Sequence, residues 1–506
     1  MNISDCTRVI LIDSPDPWSL SAPSIPRIHV LPLGLVYLGS SLKREFQDKV
    51  QVRIIDPSML SNPDEDTLGE IAAFAPHVVG IRSIGGNTEF ASRILSAAPA
   101  AAPGAVLLVG GSSTSTYLER LLPQTGPPVI AVIGEGEKTI VEVVRRLRSV
   151  WRYDGLPGTA VIEKGKVSHT PGRKFLEDLD SITSPDWGLV SLEEYGAKMN
   201  LGCHRGKHAF LLTSRGCPYK CIYCSRMSGC LFRARSPQAV MEEIYQLYHQ
   251  HSVRNFHVMD DNFTIDQQRA EEIMDLIIAS KLKLRLYFTV GLRPDTLTTG
   301  LVEKMIQAGM VWISYAVETG SPRLQRLINK NLNLEKAREI INYTWDRGIM
   351  VNYFLMTGLP TETCEEAMET IAFAGMLKPF AVPNLFQAKY YQGTEMHRMA
   401  REAGFDMGSL EQAALAPYFD LRNGGTPTMS RSDMAKINYS FKRNLLLNRK
   451  RLEAGMERQL KFHSPEDVVS TYSIVMGRPF ESLQEVLACA GEDGTAGAGR
   501  PLAGMG

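Results

Sequence analysis

At 506 residues the chain can bury a large core, and its length points to two or three domains. Lys plus Arg and Asp plus Glu number 55 each, so no net field exists to hold nucleic acid or an anionic membrane, and a small molecule or peptide is the expected substrate. Residues 1–6 carry no basic region followed by an apolar stretch, no run reaches the roughly 18 apolar residues of a membrane span, and the eight cysteines are spaced unlike a disulfide framework, so a reducing, cytoplasmic setting is expected.

From the start of the chain, short apolar runs at 9–12, 52–55, 78–81, 106–109 and 129–133 alternate with helical stretches. That rhythm predicts an α/β domain over residues 1–150, a Rossmann-like open parallel sheet. The loops after these strands read Asp13-Ser14-Pro15, Arg82-Ser83, Gly110-Gly111-Ser112-Ser113 and Gly134-Glu135-Gly136-Glu137. In such a sheet ligands bind beyond the strands' carboxyl ends, where these loops fall. Residues 151–205, with Pro157, Pro171 and Pro185, read as a linker holding a short hairpin at 159–167.

Six further candidate strands at 209–213, 255–259, 284–290, 312–317, 351–356 and 385–388 alternate with helical segments. They predict a partial (βα)6 TIM-type barrel over residues 206–400. Val240, Ile244, Leu247 and Tyr248 mark an amphipathic packing helix after its first strand. Residues 401–489 read as a helical C-terminal region with Ile437, Phe441 and Leu445 on one face. Its basic run, Lys442, Arg443, Arg449, Lys450 and Arg451, reads as a solvated surface. Residues 490–506, rich in Gly and Ala, are expected to be disordered.

One loop carries the chemistry. Leu211-Leu212-Thr213-Ser214-Arg215-Gly216-Cys217-Pro218-Tyr219-Lys220-Cys221-Ile222-Tyr223-Cys224 follows the first barrel strand, at the face where such barrels hold their active sites. Three thiolates in one tight loop can bind three irons of a cubane and leave the fourth iron open to an external ligand. The alternative is a zinc knuckle completed by Cys230 or His204. Cys203, Cys230, Cys364 and Cys489 otherwise read as small hydrophobes.

The loop resembles the CxxxCxφC motif of radical S-adenosylmethionine (SAM) enzymes, with Tyr223 as the aromatic residue beside the adenine. The resemblance implies a four-iron, four-sulfur cluster on Cys217, Cys221 and Cys224. Met259-Asp260-Asp261-Asn262-Phe263 lies where that family receives the SAM amino group, a task either Asp260 or Asp261 suits. Gly291-Leu292-Arg293 and Ala316-Val317-Glu318-Thr319-Gly320-Ser321 resemble further family stretches; Arg293 would hold the SAM carboxylate and Glu318 the ribose hydroxyls. Gly358, Leu359 and Pro360 resemble the family's "GLPGET" loop bordering adenine, with Thr361 in place of its second glycine. A plain turn with Thr361 as helix N-cap is the alternative there.

An open α/β domain followed by this barrel resembles the cobalamin-binding radical SAM class over roughly residues 8–400. Leu31-Pro32-Leu33-Gly34-Leu35-Val36-Tyr37-Leu38 is similar to that class's "PPLGLLYLA" segment. The resemblance implies cobalamin against Leu33, Gly34, Ser83, Gly110, Gly111, Ser112, Ser113, Gly134, Glu135, Gly136 and Glu137. No Asp-x-His-x-x-Gly motif is present, which implies cobalamin held without a histidine ligand. The implied activity is methyl transfer from methylcobalamin to an unactivated carbon, less often phosphorus, begun by a 5'-deoxyadenosyl radical and fed by a one-electron reductant such as flavodoxin or ferredoxin. The alternatives are a radical oxidation, cyclisation or ring contraction, and a non-catalytic SAM-binding module. The barrel mouth and the helical region would select the substrate.

Overall fold

The structure, a computed structural model, describes residues 6–15, 30–85, 88–121, 126–149, 151–163, 166–182, 184–198, 204–226, 228–378, 383–415, 428–476 and 478–490. Cys203 and nearly all of the glycine- and alanine-rich tail, 491–506, lie outside them.

The first sheet is built from β1 (Thr7–Ile12), β2 (Val50–Ile55), β3 (Val78–Arg82), β4 (Val106–Gly110) and β5 (Val129–Val132) in the order β2-β1-β3-β4-β5, all parallel. Its central strands read as continuous apolar runs because both faces are covered. Ile10, Ile12, Val79 and Ile81 pack beneath the helices Pro63–Phe74 and Thr88–Ala101. Val9, Leu11, Val78 and Leu108, one residue out of phase, pack beneath Leu33–Phe46 and Glu137–Arg148.

The hairpin expected within a linker instead extends this sheet. β6 (Thr159–Glu163) pairs antiparallel with β5, and β7 (Lys166–His169) pairs with β6. Pairing satisfies the backbone groups that β5 would otherwise present as an open edge.

The second sheet holds β8 (His208–Leu211), β11 (Asn255–Val258), β12 (Arg285–Leu292), β13 (Met310–Glu318), β14 (Met350–Thr357) and β15 (Pro383–Gln387). They are parallel and adjacent in chain order, β8 and β15 forming the two edges of a partial barrel. Between β8 and β11 two short strands, β9 (Ser214–Arg215) and β10 (Arg233–Ala234), pair antiparallel and bracket the cysteine loop. Nothing in the apolar pattern announces a two-residue ladder.

Ile437, Phe441 and Leu445 are buried in the barrel's own core cluster, so the C-terminal helices pack onto its outside. Within the basic run Arg449 and Lys450 are exposed as expected, but Arg451 is not simply solvated. Arg451 donates to the Leu377 carbonyl at 3.0 Å and the Tyr353 hydroxyl at 3.1 Å, at the end of the helix Cys364–Met376. Arg458 donates to the carbonyls of Trp345 (2.8 Å) and Ile349 (3.2 Å) beyond the helix Leu334–Asp346. Arg451 thus satisfies a carbonyl at a helix C-terminus, and Arg458 ties the end of the helix Leu334–Asp346 to the entry of β14.

Candidate active site

The exit of β8 is fastened to the exit of β11 by one carboxylate. Asp260 accepts from the Thr213 N–H (2.6 Å) and from the hydroxyls of Thr213 (2.5 Å) and Ser214 (2.6 Å), and it is 1 % exposed. Burial raises its pKa, an effect these hydrogen bonds oppose. Asp260 is therefore a tie within the protein and not a receiver for a ligand ammonium. Asp261, exposed, accepts from the Gly216 N–H at 2.9 Å and is the carboxylate of the pair at the mouth of the barrel.

The cysteine loop is closed on itself. Cys217 N–H donates to the Gly229 carbonyl (3.2 Å), Cys224 N–H to the Cys221 carbonyl (3.2 Å), and Ile222 N–H to the Ile328 carbonyl (3.1 Å). Gly216 has φ +86°, and a Cβ there would stand 2.1 Å from the Leu231 carbonyl oxygen. Burial, with the neighbouring thiols and Asp261 adding to it and the Tyr219 N–H opposing it, holds the Cys217 thiol up at about 11.

Among the described residues no three His, Cys, Asp or Glu side chains converge as ligands of a single ion. Three thiols spread around one loop suit a cubane, in which each binds a different iron. The zinc alternative fails on position. His204 precedes β8, at the opposite end of that strand from the cysteines, and its ring meets the Tyr287 hydroxyl at 2.6 Å. It belongs to a buried group with His208, His257 and His463, whose pKa values burial lowers, to about 4 for His204, His208 and His463. Cys230 is exposed and accepts from Arg226 at 3.3 Å.

Tyr223 and Glu318, predicted from distant motifs, meet: the Tyr223 hydroxyl donates to Glu318 Oε1 at 3.1 Å. Lys330, which no motif signalled, donates to the same oxygen at 3.0 Å. Glu318 has φ +70° where the register between β13 and β14 shifts, an irregularity that re-aims a side chain at a barrel rim. Arg293 is turned elsewhere. It grips Asp295 at 2.8 and 3.0 Å, donates to the carbonyls of Lys330 (2.6 Å) and Asn331 (3.2 Å), and lies over the Tyr219 ring. It ties the 330–331 turn to the cysteine loop, so the expected carboxylate contact is not what its geometry serves.

In the Gly358-Leu359-Pro360 loop, Glu362 gathers the N–H groups of Gly358 and Leu359 (2.9 Å for Leu359), and Tyr390 donates to the Gly358 carbonyl at 3.0 Å. Burial raises Glu362 to about 7 against these hydrogen bonds. Thr361 is not the helix cap; Thr363 is, in a capping box with Glu366. Thr361 adopts φ +59°, the left-handed conformation that its family counterpart, glycine, takes freely. A β-branched residue there costs roughly 1–2 kcal/mol, offset in part by one exposed bond from Arg323 to the Thr361 hydroxyl. Thr361→Gly is expected to raise stability by up to about 1 kcal/mol in denaturant unfolding. A loss would show that the Arg323 bond to the Thr361 hydroxyl outweighs the backbone strain.

At the carboxyl edge of the first sheet, Gly34, Gly111 and Gly134 are exposed, and Gly34 has open space around it. Ser83 and Ser113 are buried instead and knit two loops together: Ser113 N–H donates to the Ser83 carbonyl (3.2 Å) and the Ser113 hydroxyl to the Gly85 carbonyl (3.1 Å). Gly111, at φ +100°, is needed because a Cβ would meet the Ser83 oxygen at 2.3 Å. Glu135 and Glu137 are engaged by arginines of the second domain. Arg215 reaches Glu135 at 3.0 Å and Glu137 at 2.6 Å, and Arg233 reaches Glu135 at 2.8 Å. Burial opposes the Arg215 charge, but the two carboxylates outweigh it and raise its pKa. Removing one partner of such a buried set costs about 3–5 kcal/mol.

Residues 211–374 match the model of the radical SAM superfamily, and residues 29–144 that of the B12 binding domain. An uncharacterised methyltransferase of Pyrococcus horikoshii is 29% identical over 350 residues, spanning 68% of this chain and 73% of the relative. The cytidylyl-2-hydroxyethylphosphonate methyltransferase of Streptomyces wedmorensis is 28% identical over 388 residues, 68% of this chain and 70% of that protein. Among solved structures, the radical SAM methyltransferase TsrM from Kitasatospora setae, with cobalamin and a four-iron cluster bound, superposes with a TM-score of 0.65 at 19% identity, covering 79% of this chain and 78% of that one. The chain belongs to the cobalamin-binding radical SAM enzymes. Its cofactors are accordingly SAM, a four-iron, four-sulfur cluster and cobalamin. No helix among the described residues is long and apolar enough to cross a membrane.

Proposed function

We propose that this radical SAM enzyme is a cobalamin-dependent methyltransferase acting on an unactivated carbon of a small biosynthetic intermediate in the cytoplasm, with a one-electron reductant such as flavodoxin or ferredoxin as its partner. The observation that carries the reading is the seam of Arg215 and Arg233 with Glu135 and Glu137, which sets the carboxyl edge of the first sheet against the cysteine loop of the barrel. When bound, the cluster supplies the electron for SAM cleavage and cobalamin the transferable methyl group.

The chain's own residues divide the remaining work. Cys217, Cys221 and Cys224 hold the cluster. Asp261 offers a carboxylate to the SAM ammonium at the end of β11. Glu318, steadied by Tyr223 and Lys330, is suited to accept from ribose hydroxyls. The Gly358-Leu359-Pro360 turn, rigid on Glu362, walls the adenine side. Leu33, the exposed Gly34, Gly111 and Gly134, and Ser112 line the corrin side.

The reading is tested without knowing the substrate. Reconstituted enzyme given SAM labelled in its methyl group, hydroxocobalamin and dithionite is expected to carry label in its cobalamin fraction while 5'-deoxyadenosine accumulates. 5'-Deoxyadenosine with unlabelled cobalamin would replace this reading by a radical cyclase or ring-contracting enzyme. Neither product would leave a non-catalytic module.

A further inference from the structure

We infer that Glu135, with Glu137 in support, is a positioning residue for the cysteine loop, so that the cobalamin-binding domain sets the geometry in which the cluster is held. The inference rests on the proposed roles of the cysteines. Arg215 and Arg233 face each other as register partners across the β9–β10 bracket that closes the loop. Their side chains are only 8 and 4 % exposed. Two like charges directly opposed on a short ladder repel, and burial removes the water that would screen them.

Glu135 Oε1 lies between them, 3.0 Å from Arg215 and 2.8 Å from Arg233, and its other oxygen accepts from the Leu176 N–H at 2.6 Å. One carboxylate thus bridges the two opposed guanidiniums and anchors the bracket to a third segment, and Glu137 supplies the second negative charge that balances the pair. Arg233 also donates to the carbonyls of Leu176 (2.7 Å) and Ser228 (2.8 Å), the latter inside the loop itself. Glu137 takes the second arm of Arg215 at 2.6 Å. Arg215 stands two residues before Cys217, so any rotation of the bracket is passed to the first thiol.

The test uses the full-length chain bearing Glu135→Gln, which keeps shape and removes charge, beside Glu137→Gln. In the cofactor-free protein, amide hydrogen exchange over residues 214–234 is expected to rise at least about tenfold for Glu135→Gln and less for Glu137→Gln, with other peptides unchanged. In the reconstituted protein, the change that SAM induces in the electron paramagnetic resonance of the reduced cluster is expected to be altered or lost. The double variant Glu135→Gln/Arg233→Gln, with one opposed charge removed, is expected to recover part of both signals. Exchange and spectrum unchanged from wild type would overturn the inference, and so would a rise spread over the whole chain. A wild-type protein with no cluster spectrum would instead sink the proposed function, and the exchange measurement would still decide this inference.

Discussion

Alanine at Cys217, Cys221 or Cys224 is expected to abolish 5'-deoxyadenosine formation, with iron falling from four per chain towards none. On the proposed assignment each thiolate holds a different iron, so no neighbour can take its place, and Cys230 is engaged by Arg226. Loss of an outer partner of a metal ligand costs roughly 10–100-fold; loss of a ligand itself is expected to exceed that. Cys221→Ala leaves Arg215, Arg233 and their carboxylates in place, so gel filtration is expected to show hydroxocobalamin still bound. Loss of both cofactors from this variant would show that the two domains hold their ligands interdependently. Full iron content would remove Cys221 from the cluster.

Gly216→Ala is expected to cost most of the bound iron without touching a thiol. The residue combines φ +86° with a backbone carbonyl 2.1 Å from where its Cβ would lie. The dihedral alone costs an alanine roughly 1–2 kcal/mol. The clash adds to this because the Leu231 carbonyl belongs to the same closed loop and cannot withdraw without opening it. Gly404, at φ +73° with open space around it, separates the two contributions. Gly404→Ala is expected to lower stability by about 1 kcal/mol and to keep full iron content. Iron determination and thermal unfolding on both variants check this, and equal iron retention in the two would show that the clash is relieved by a local shift.

What could be read in the sequence was local. The cysteine loop was legible because its three thiols lie within eight residues, and the strands because runs such as Val-Ile-Leu-Ile at 9–12 are buried on both faces. Pairings set by the three-dimensional path were not. Asp260 and Asp261 are chemically identical neighbours, and only the path of β8 past β11 buries one and exposes the other. Glu135 and Glu137 sit in a glycine loop suited to a ligand, yet their partners lie in the barrel. Arg293 has the chemistry to grip a carboxylate and uses it on Asp295, two residues away. Arg451 looked solvated because the carbonyls it caps belong to a helix ending some 75 residues earlier. Thr361 stands where the resembling motif has glycine and holds a left-handed backbone that glycine adopts freely.

The order of these pairs along the chain bears on how the enzyme is made. Glu137 precedes Arg215 by 78 residues, Glu135 precedes it by 80, and Arg233 follows Glu135 by 98. During synthesis amino-terminal domains fold first. Both carboxylates, and the β6–β7 hairpin beside them, are therefore in place on a finished sheet while the ribosome is still extending towards the cysteines. On this order the cysteine loop is expected to close against a preformed template, once Arg233 and β10 have emerged, and not to search for its own closure.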